Sequence, residues 1–194
     1  MPCFANSLSV WLRKRAFKFP RFPAEAVYVR NSKTRSPATA PLPARGEEAP
    51  INLERTTIWQ RPAELLQELI RFDTTNPPGN EAACIAHVAD LLRQAGLETT
   101  LLARHEARPN LIARLRGRGL VPPLLMYGHA DVVTTQGQAW TYPPFEGRLV
   151  DGWVWGRGAL DMKGELAMML AALLRACSEG LAPPGDVLLA LVSD

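Results

Sequence analysis

The sequence predicts an α/β fold built on a mixed, mainly parallel sheet with flanking helices. Three observations carry this expectation. Residues 187–192, Val-Leu-Leu-Ala-Leu-Val, form an uninterrupted apolar run of strand length, the pattern of a strand covered on both faces. Residues 166–177 are apolar almost all round and read as a buried helix. Upstream of both, apolar stripes at helical spacing alternate with short β-prone runs, as in layered α/β domains. A hydrophobic fraction of 47% and a charged fraction of 21% suit a globular chain able to bury such a core. The longest apolar run, residues 166–174, is too short to span a bilayer, so no membrane partner is expected.

The elements are expected from residue 56 onward, which divides the chain into a tail, 1–55, and a domain, 56–194. The tail carries Pro20, Pro23, Pro37, Pro41, Pro43 and Pro50 and follows neither a helical nor a strand period. Such a segment buries too little apolar surface to offset its ordering entropy, so it is expected to be largely disordered. Residues 1–50 hold nine Lys/Arg against three Glu, whereas residues 51–194 hold thirteen against sixteen Asp/Glu. The basic character therefore belongs to the tail, and no nucleic-acid partner is expected of the mildly acidic domain. Arg13-Lys14-Arg15 beside a short apolar patch resembles an organellar transit peptide, and an upstream extension or misassigned start codon fits as well. Cys3, Cys84 and Cys177 are odd in number, scattered and without a CxxC pair. They imply no disulfide framework and suit a reducing, cytoplasmic compartment.

Within the domain, Pro62 at a first helical turn, Glu64 after it and the stripe Leu65, Leu66, Leu69, Ile70 predict a helix over 62–72. Asp73 to Gly79, with its Pro-Pro-Gly turn, stops it. Asn80 is placed to cap a second helix over 81–94, closed by Gly96. Residues 97–103 and 110–115 read as strands, with a turn at 116–119. Residues 124–127 read as a short buried strand that delivers Gly128-His129 at its end. Residues 146–155 read as a hairpin around Asp151-Gly152. The apolar helix over 166–177 ends at Gly180, and Pro183-Pro184-Gly185 leads into the strand at 187–192.

The residues with chemistry to offer stand at two strand ends. His129 and Asp131 are two apart in extended chain and so point the same way. That spacing suits a metal-bound imidazole whose other ring nitrogen is held by a carboxylate; alone, a His-x-Asp also fits a surface turn. Asp161 stands between the Gly156-Arg-Gly158 turn and a helix, where it fits either a helix cap or a metal-ligating carboxylate. His87, on the second helix, and His105, in a polar stretch, are expected to be surface residues rather than ligands. Gly156-x-Gly158-x-x-Asp161 imitates a dinucleotide fingerprint, but the aspartate puts negative charge where a pyrophosphate would sit. Lys163 makes no P-loop, because GxxxxGK[ST] is absent.

Taken together, Tyr127-Gly-His129-Ala-Asp131-Val-Val, Trp140-x-x-Pro143-Pro144-Phe145-x-Gly147 and Gly156-Arg-Gly158-Ala-Leu-Asp161-Met-Lys-Gly164 resemble one family. It is the dizinc metallopeptidase and deacylase family of acetylornithine deacetylase, succinyl-diaminopimelate desuccinylase, aminoacylase and carnosinase-type dipeptidases. Phe72-Asp-Thr-Thr-Asn-Pro-Pro-Gly79-Asn-Glu81 resembles its usual opening, and the likeness runs from about Ile58 to Asp194. The resemblance implies an aminopeptidase-like catalytic domain, of which this chain is the first portion. It implies that His129 binds one zinc, that Asp161 bridges two, and that Asp131 is the catalytic-site acid that orients His129. It implies Zn²⁺ as cofactor, with Co²⁺ as a possible substitute, and a dipeptide or N-acyl amino acid as substrate. In the family, the strand matching 187–192 runs on into two adjacent glutamates, one the general base and one a zinc ligand. Here Ser193-Asp194 follows, so the expectation is a truncated chain, inactive alone, with any homodimer made through a further domain. The alternative is a non-catalytic remnant or partner-binding fragment.

Overall fold

The computed structural model describes Ala16–Lys18 and residues 57–193. Ala16–Lys18 form a short strand, β1; the remainder of the expected 1–55 tail lies outside the described residues. A 3-10 turn over Ile58–Gln60 leads into α1, Pro62–Arg71. Pro62 fills a position whose N–H would have no helical partner, Glu64 lies in the first turn and Arg71 in the last. Leu65, Leu66, Leu69 and Ile70 are fully buried, each contributing about 1.5–3 kcal/mol by leaving water.

The second helix, α2, runs over Ala82–Gln94, and its start corrects the expected Asn80 cap. Glu81 holds the capping position without making a side-chain cap bond. Its fully buried carboxylate instead accepts a hydrogen bond from Arg108 Nε at 3.2 Å, while Ala82 N donates to Ala107 O. The connection at 104–108, rather than a local asparagine, fixes where this helix begins. Gly96 follows its last turn as expected, at φ 85°.

Strands β2 (Glu98–Ala103), β3 (Pro109–Leu115), β4 (Leu124–His129) and β7 (Val187–Val192) make a four-stranded sheet in the order β2-β3-β7-β4. The sheet is mixed, with helices packed on it. Among the described strands, however, two of its three ladders, β2–β3 and β3–β7, are antiparallel, and β7–β4 is parallel. The short 104–108 connection can only reverse the chain, whereas β4 and β7 are joined through a helix that permits a parallel crossover. That helix, α3, spans Lys163–Ser178.

Among the described strands β4 lies at the edge of its sheet, and it is not buried: Leu124, Leu125 and Tyr127 are each more than half exposed. Strand β7 lies inside the sheet, yet only Leu189 and Leu191 are buried. The cross-strand rows explain this. Leu111–Leu191–Gly128 and Ala113–Leu189–Met126 lie on the face that packs against the helices. Leu125, Tyr127, Leu188, Ala190 and Ile112 alternate onto the other face, which no described helix covers. Helix α3 is likewise one-sided, burying Leu166, Ala167, Leu170, Leu173 and Leu174 but exposing Ala172.

Strands β5 (Arg148–Val150) and β6 (Trp153–Trp155) form the expected hairpin. Asp151 at φ 51° and Gly152 at φ 79° are both left-handed, which matches the twist of a tight two-residue hairpin turn. On its other edge β6 pairs with β1, in antiparallel register from Ala16↔Trp155 to Lys18↔Trp153. Among the described residues no helix is long and apolar enough to cross a membrane.

Candidate metal centre

The parallel pair β4–β7 sends its carboxyl ends to one edge of the sheet, and His129 is the last residue of β4. In open sheets with parallel strands, reactive groups gather just beyond such ends. Gly128 makes the approach to α3 possible: a Cβ there would stand 3.1 Å from the Met162 methyl and 3.2 Å from that of Met169. The His129 amide donates to Met162 Sδ at 3.3 Å, which ties the strand end to the start of α3.

The ring of His129 lies between two carboxylates. Its Nδ1 is 3.0 Å from Asp131 Oδ1, and its Nε2 is 3.3 Å from Asp161 Oδ1. The two sequence motifs, some thirty positions apart, therefore converge on one imidazole. Asp131 is mostly buried, whereas the Asp161 side chain is 88% exposed. Asp161 is not the helix cap, because Met162 occupies that position and makes no side-chain cap bond. Its carboxylate is thus turned to solvent and to the ring. Burial of the ring pulls its pKa down. The charge and hydrogen bonds of Asp131, together with the Asp161 carboxylate, outweigh that and hold the imidazole above its ordinary 6.5.

The glycine turn that carries Asp161 is shaped by its surroundings. Gly158 has φ +82°, and a Cβ there would come within 2.8 Å of Val132 Cγ1, so both conformation and space call for glycine. Behind the carboxylates, His129, Asp131, Val132, Trp140, Arg157 and Asp161 line a pocket of about 110 Å³. Arg157 donates through Nη2 to Gln138 Oε1 at 2.6 Å, and its guanidinium lies 5.1 Å from the centre of the Trp140 ring.

Two contributions were not read from the sequence. The first is Lys163, a fully buried side chain whose Nζ donates to Leu69 O at 2.9 Å and Phe72 O at 2.8 Å. Burial lowers its pKa, opposed by the nearby charges of Cys84, Asp73 and Asp131. It ties the start of α3 to the last carbonyls of α1. The second is the segment 73–76, which runs beside 130–132. Thr74 Oγ1 donates to Ala130 O at 2.7 Å, Val132 N to Thr74 O at 3.0 Å and Asn76 N to Val132 O at 2.8 Å. Asn76 Nδ2 then donates to Asp131 Oδ2 at 3.3 Å. The available signal was Asp73-Thr-Thr75, where Asp73 Oδ1 accepts from the Thr75 amide and hydroxyl, a local turn that breaks helical periodicity.

The other histidines stand apart from this site. His105 is exposed, as expected. His87 is half-buried: its ring packs 5.3 Å from that of Phe72, and its Nε2 is 3.2 Å from Glu68 Oε2. Position 87 faces α1 from α2, so a polar residue there finds a partner across the helix pair.

The donors fit a divalent ion. An imidazole nitrogen faces an exposed carboxylate, and the opposite ring nitrogen is held by a second carboxylate, the arrangement that fixes a ligating tautomer. Among the described residues no group of three or more His, Cys, Asp or Glu side chains is placed to share one ion. Two protein donors are fewer than the three usual at a catalytic zinc.

Comparison with known proteins gives one consistent relationship. Residues 125–194 match Peptidase family M20/M25/M40. A succinyl-diaminopimelate desuccinylase from Paracoccus denitrificans is 40% identical over 134 residues, covering 69% of this chain and 34% of that protein. The chain thus spans about a third of the length of the curated relatives it matches. Human carnosine dipeptidase 1 superposes with a TM-score of 0.61 at 20% identity, over 72% of this chain and 33% of that one. A dinuclear metal-binding peptidase of the M20 family from Bacillus subtilis gives 0.51 at 16% identity, over 69% and 35%. At those identities the two structures speak for the fold alone.

Proposed function

Residues 125–194 carry the match to Peptidase family M20/M25/M40, and from that premise we propose that this chain supplies part of the metal centre of a hydrolase. The reaction is cleavage of an amide bond in an N-acyl amino acid or dipeptide. The observation that carries the reading is the His129 ring, held on Nδ1 by Asp131 and facing Asp161 through Nε2. The relative from Paracoccus denitrificans, named for removing a succinyl group, supports deacylation.

In this reading His129 Nε2 and the Asp161 carboxylate hold Zn²⁺, for which Co²⁺ can substitute. A bound divalent ion there supplies Lewis acidity and a water acidic enough to act as a nucleophile near neutral pH. Asp131 keeps the proton of the neutral ring on Nδ1, so that Nε2 presents its lone pair. Trp140 and Arg157 line the same pocket as His129, Asp131 and Asp161. With two donors the ion is weakly held, and this chain by itself is expected to turn over no substrate.

A second reading, a non-catalytic or partner-binding fragment, is favoured by one observation: the sheet face around Leu125 and Tyr127, which no described helix covers. The deciding experiment is calorimetric titration of the chain with Zn²⁺, with Co²⁺ absorption in parallel. Binding that is lost in both His129→Ala and Asp161→Asn supports the metal-centre reading. Equal binding by wild type and His129→Ala, or none by either, overturns it in favour of the second.

A further inference from the structure

The structure assigns Asn76 as a positioning residue for the His129–Asp131 pair, an inference that rests on the metal-centre reading for its consequence. Asp131 has two carboxylate oxygens with different duties. Oδ1 faces His129 Nδ1 at 3.0 Å, and Oδ2 accepts from Asn76 Nδ2 at 3.3 Å. A carboxylate with one oxygen held can still rotate about its terminal torsion, because that torsion has a broad minimum. Holding the second oxygen removes the freedom. Asn76 thereby sets the plane in which Asp131 meets the ring.

The amide is itself well placed for this. The Asn76 backbone donates to Val132 O, Thr74 bonds to both Ala130 O and Val132 N, and the Asp73 side chain closes the turn on Thr75. One residue further back, Phe72 O is held by the buried Lys163 ammonium. The segment is thus fastened at both ends and in the middle, and the Asn76 side chain is the only described group in it that donates to a site carboxylate. An asparagine suits the task because it offers a donor without adding charge beside Asp131.

The test reads the ring directly. Long-range ¹H–¹⁵N spectra of the metal-free chain at alkaline pH, with the signal assigned through His129→Ala, report which nitrogen carries the proton. Wild type should show His129 as the Nδ1–H tautomer. Asn76→Ala, and Asn76→Asp, which keeps the shape but loses the donor, should show a mixture of both tautomers. Zn²⁺ affinity should fall about tenfold, the lower end for groups that orient a metal-binding histidine. A lowered melting temperature with the tautomer unchanged in both variants would mean that Asn76 only braces the loop, and would overturn the assignment. If wild type binds neither Zn²⁺ nor Co²⁺, the metal-centre reading fails, and the tautomer comparison still decides the role of Asn76.

Discussion

A single imidazole between two carboxylates gives the site its pH behaviour. In the metal-free chain, the raised pKa of His129 means that the folded state binds a proton more tightly than the unfolded one. That contribution to stability is complete below about pH 6.5 and is lost as pH rises through the folded value. The melting temperature of wild type relative to His129→Ala, both in chelator, should therefore decline as pH rises above about 6.5. Zn²⁺ needs the unprotonated ring, so its affinity should rise over the same span. Thermal melts with chelator and with Zn²⁺ check both directions, and a chelator series that climbs with pH contradicts the placement of Asp131 and Asp161. The proximity of His129, Asp131 and Asp161 was legible in the sequence, because a glycine turn after a β-prone run fixes where a side chain emerges. Asn76 and Lys163 were not legible. Each acts on a segment remote in sequence, and neither spacing nor periodicity records such a contact.

At the scale of elements, the start of α2 shows how a tertiary contact replaces a local one. Asn80 is a good capping residue by type, yet the helix begins where the buried Glu81 carboxylate meets Arg108 from the β2–β3 connection. Glu81 Oε1 and Arg108 Nη2 are buried without a hydrogen-bond partner, so the pair depends on its one close contact. Removing one partner leaves a carboxylate in the core, and Arg108→Ala should cost about 3 kcal/mol. Chemical denaturation measures this; replacing Glu81 by Leu in the same chain should recover most of the loss. An Arg108→Ala cost within experimental error of zero would mean that the pair is solvated. The strand at 124–129 teaches the converse: a short apolar run at a glycine reads as interior, but pattern alone does not distinguish an edge strand from a central one. The same holds for ladder direction, which depends on where β7 inserts between β3 and β4.

For the molecule as a whole, the described helices pack on one face of the four-stranded sheet. The continuous core joins α1, α2, α3 and the rows around Leu111, Leu189 and Leu191. Leu125 and Tyr127 on the far side remain wet, at 60% and 58% exposure. Water that already hydrates part of an apolar face in the folded state changes little on unfolding, so that face adds less to the heat-capacity increment than a buried one. Scanning calorimetry over a range of transition temperatures should thus give an increment per residue below the usual ~12–15 cal/mol/K. A value inside that range would mean that the sheet's second face is dehydrated in solution. Dependence of the transition on protein concentration would then identify another copy of the chain as what covers it.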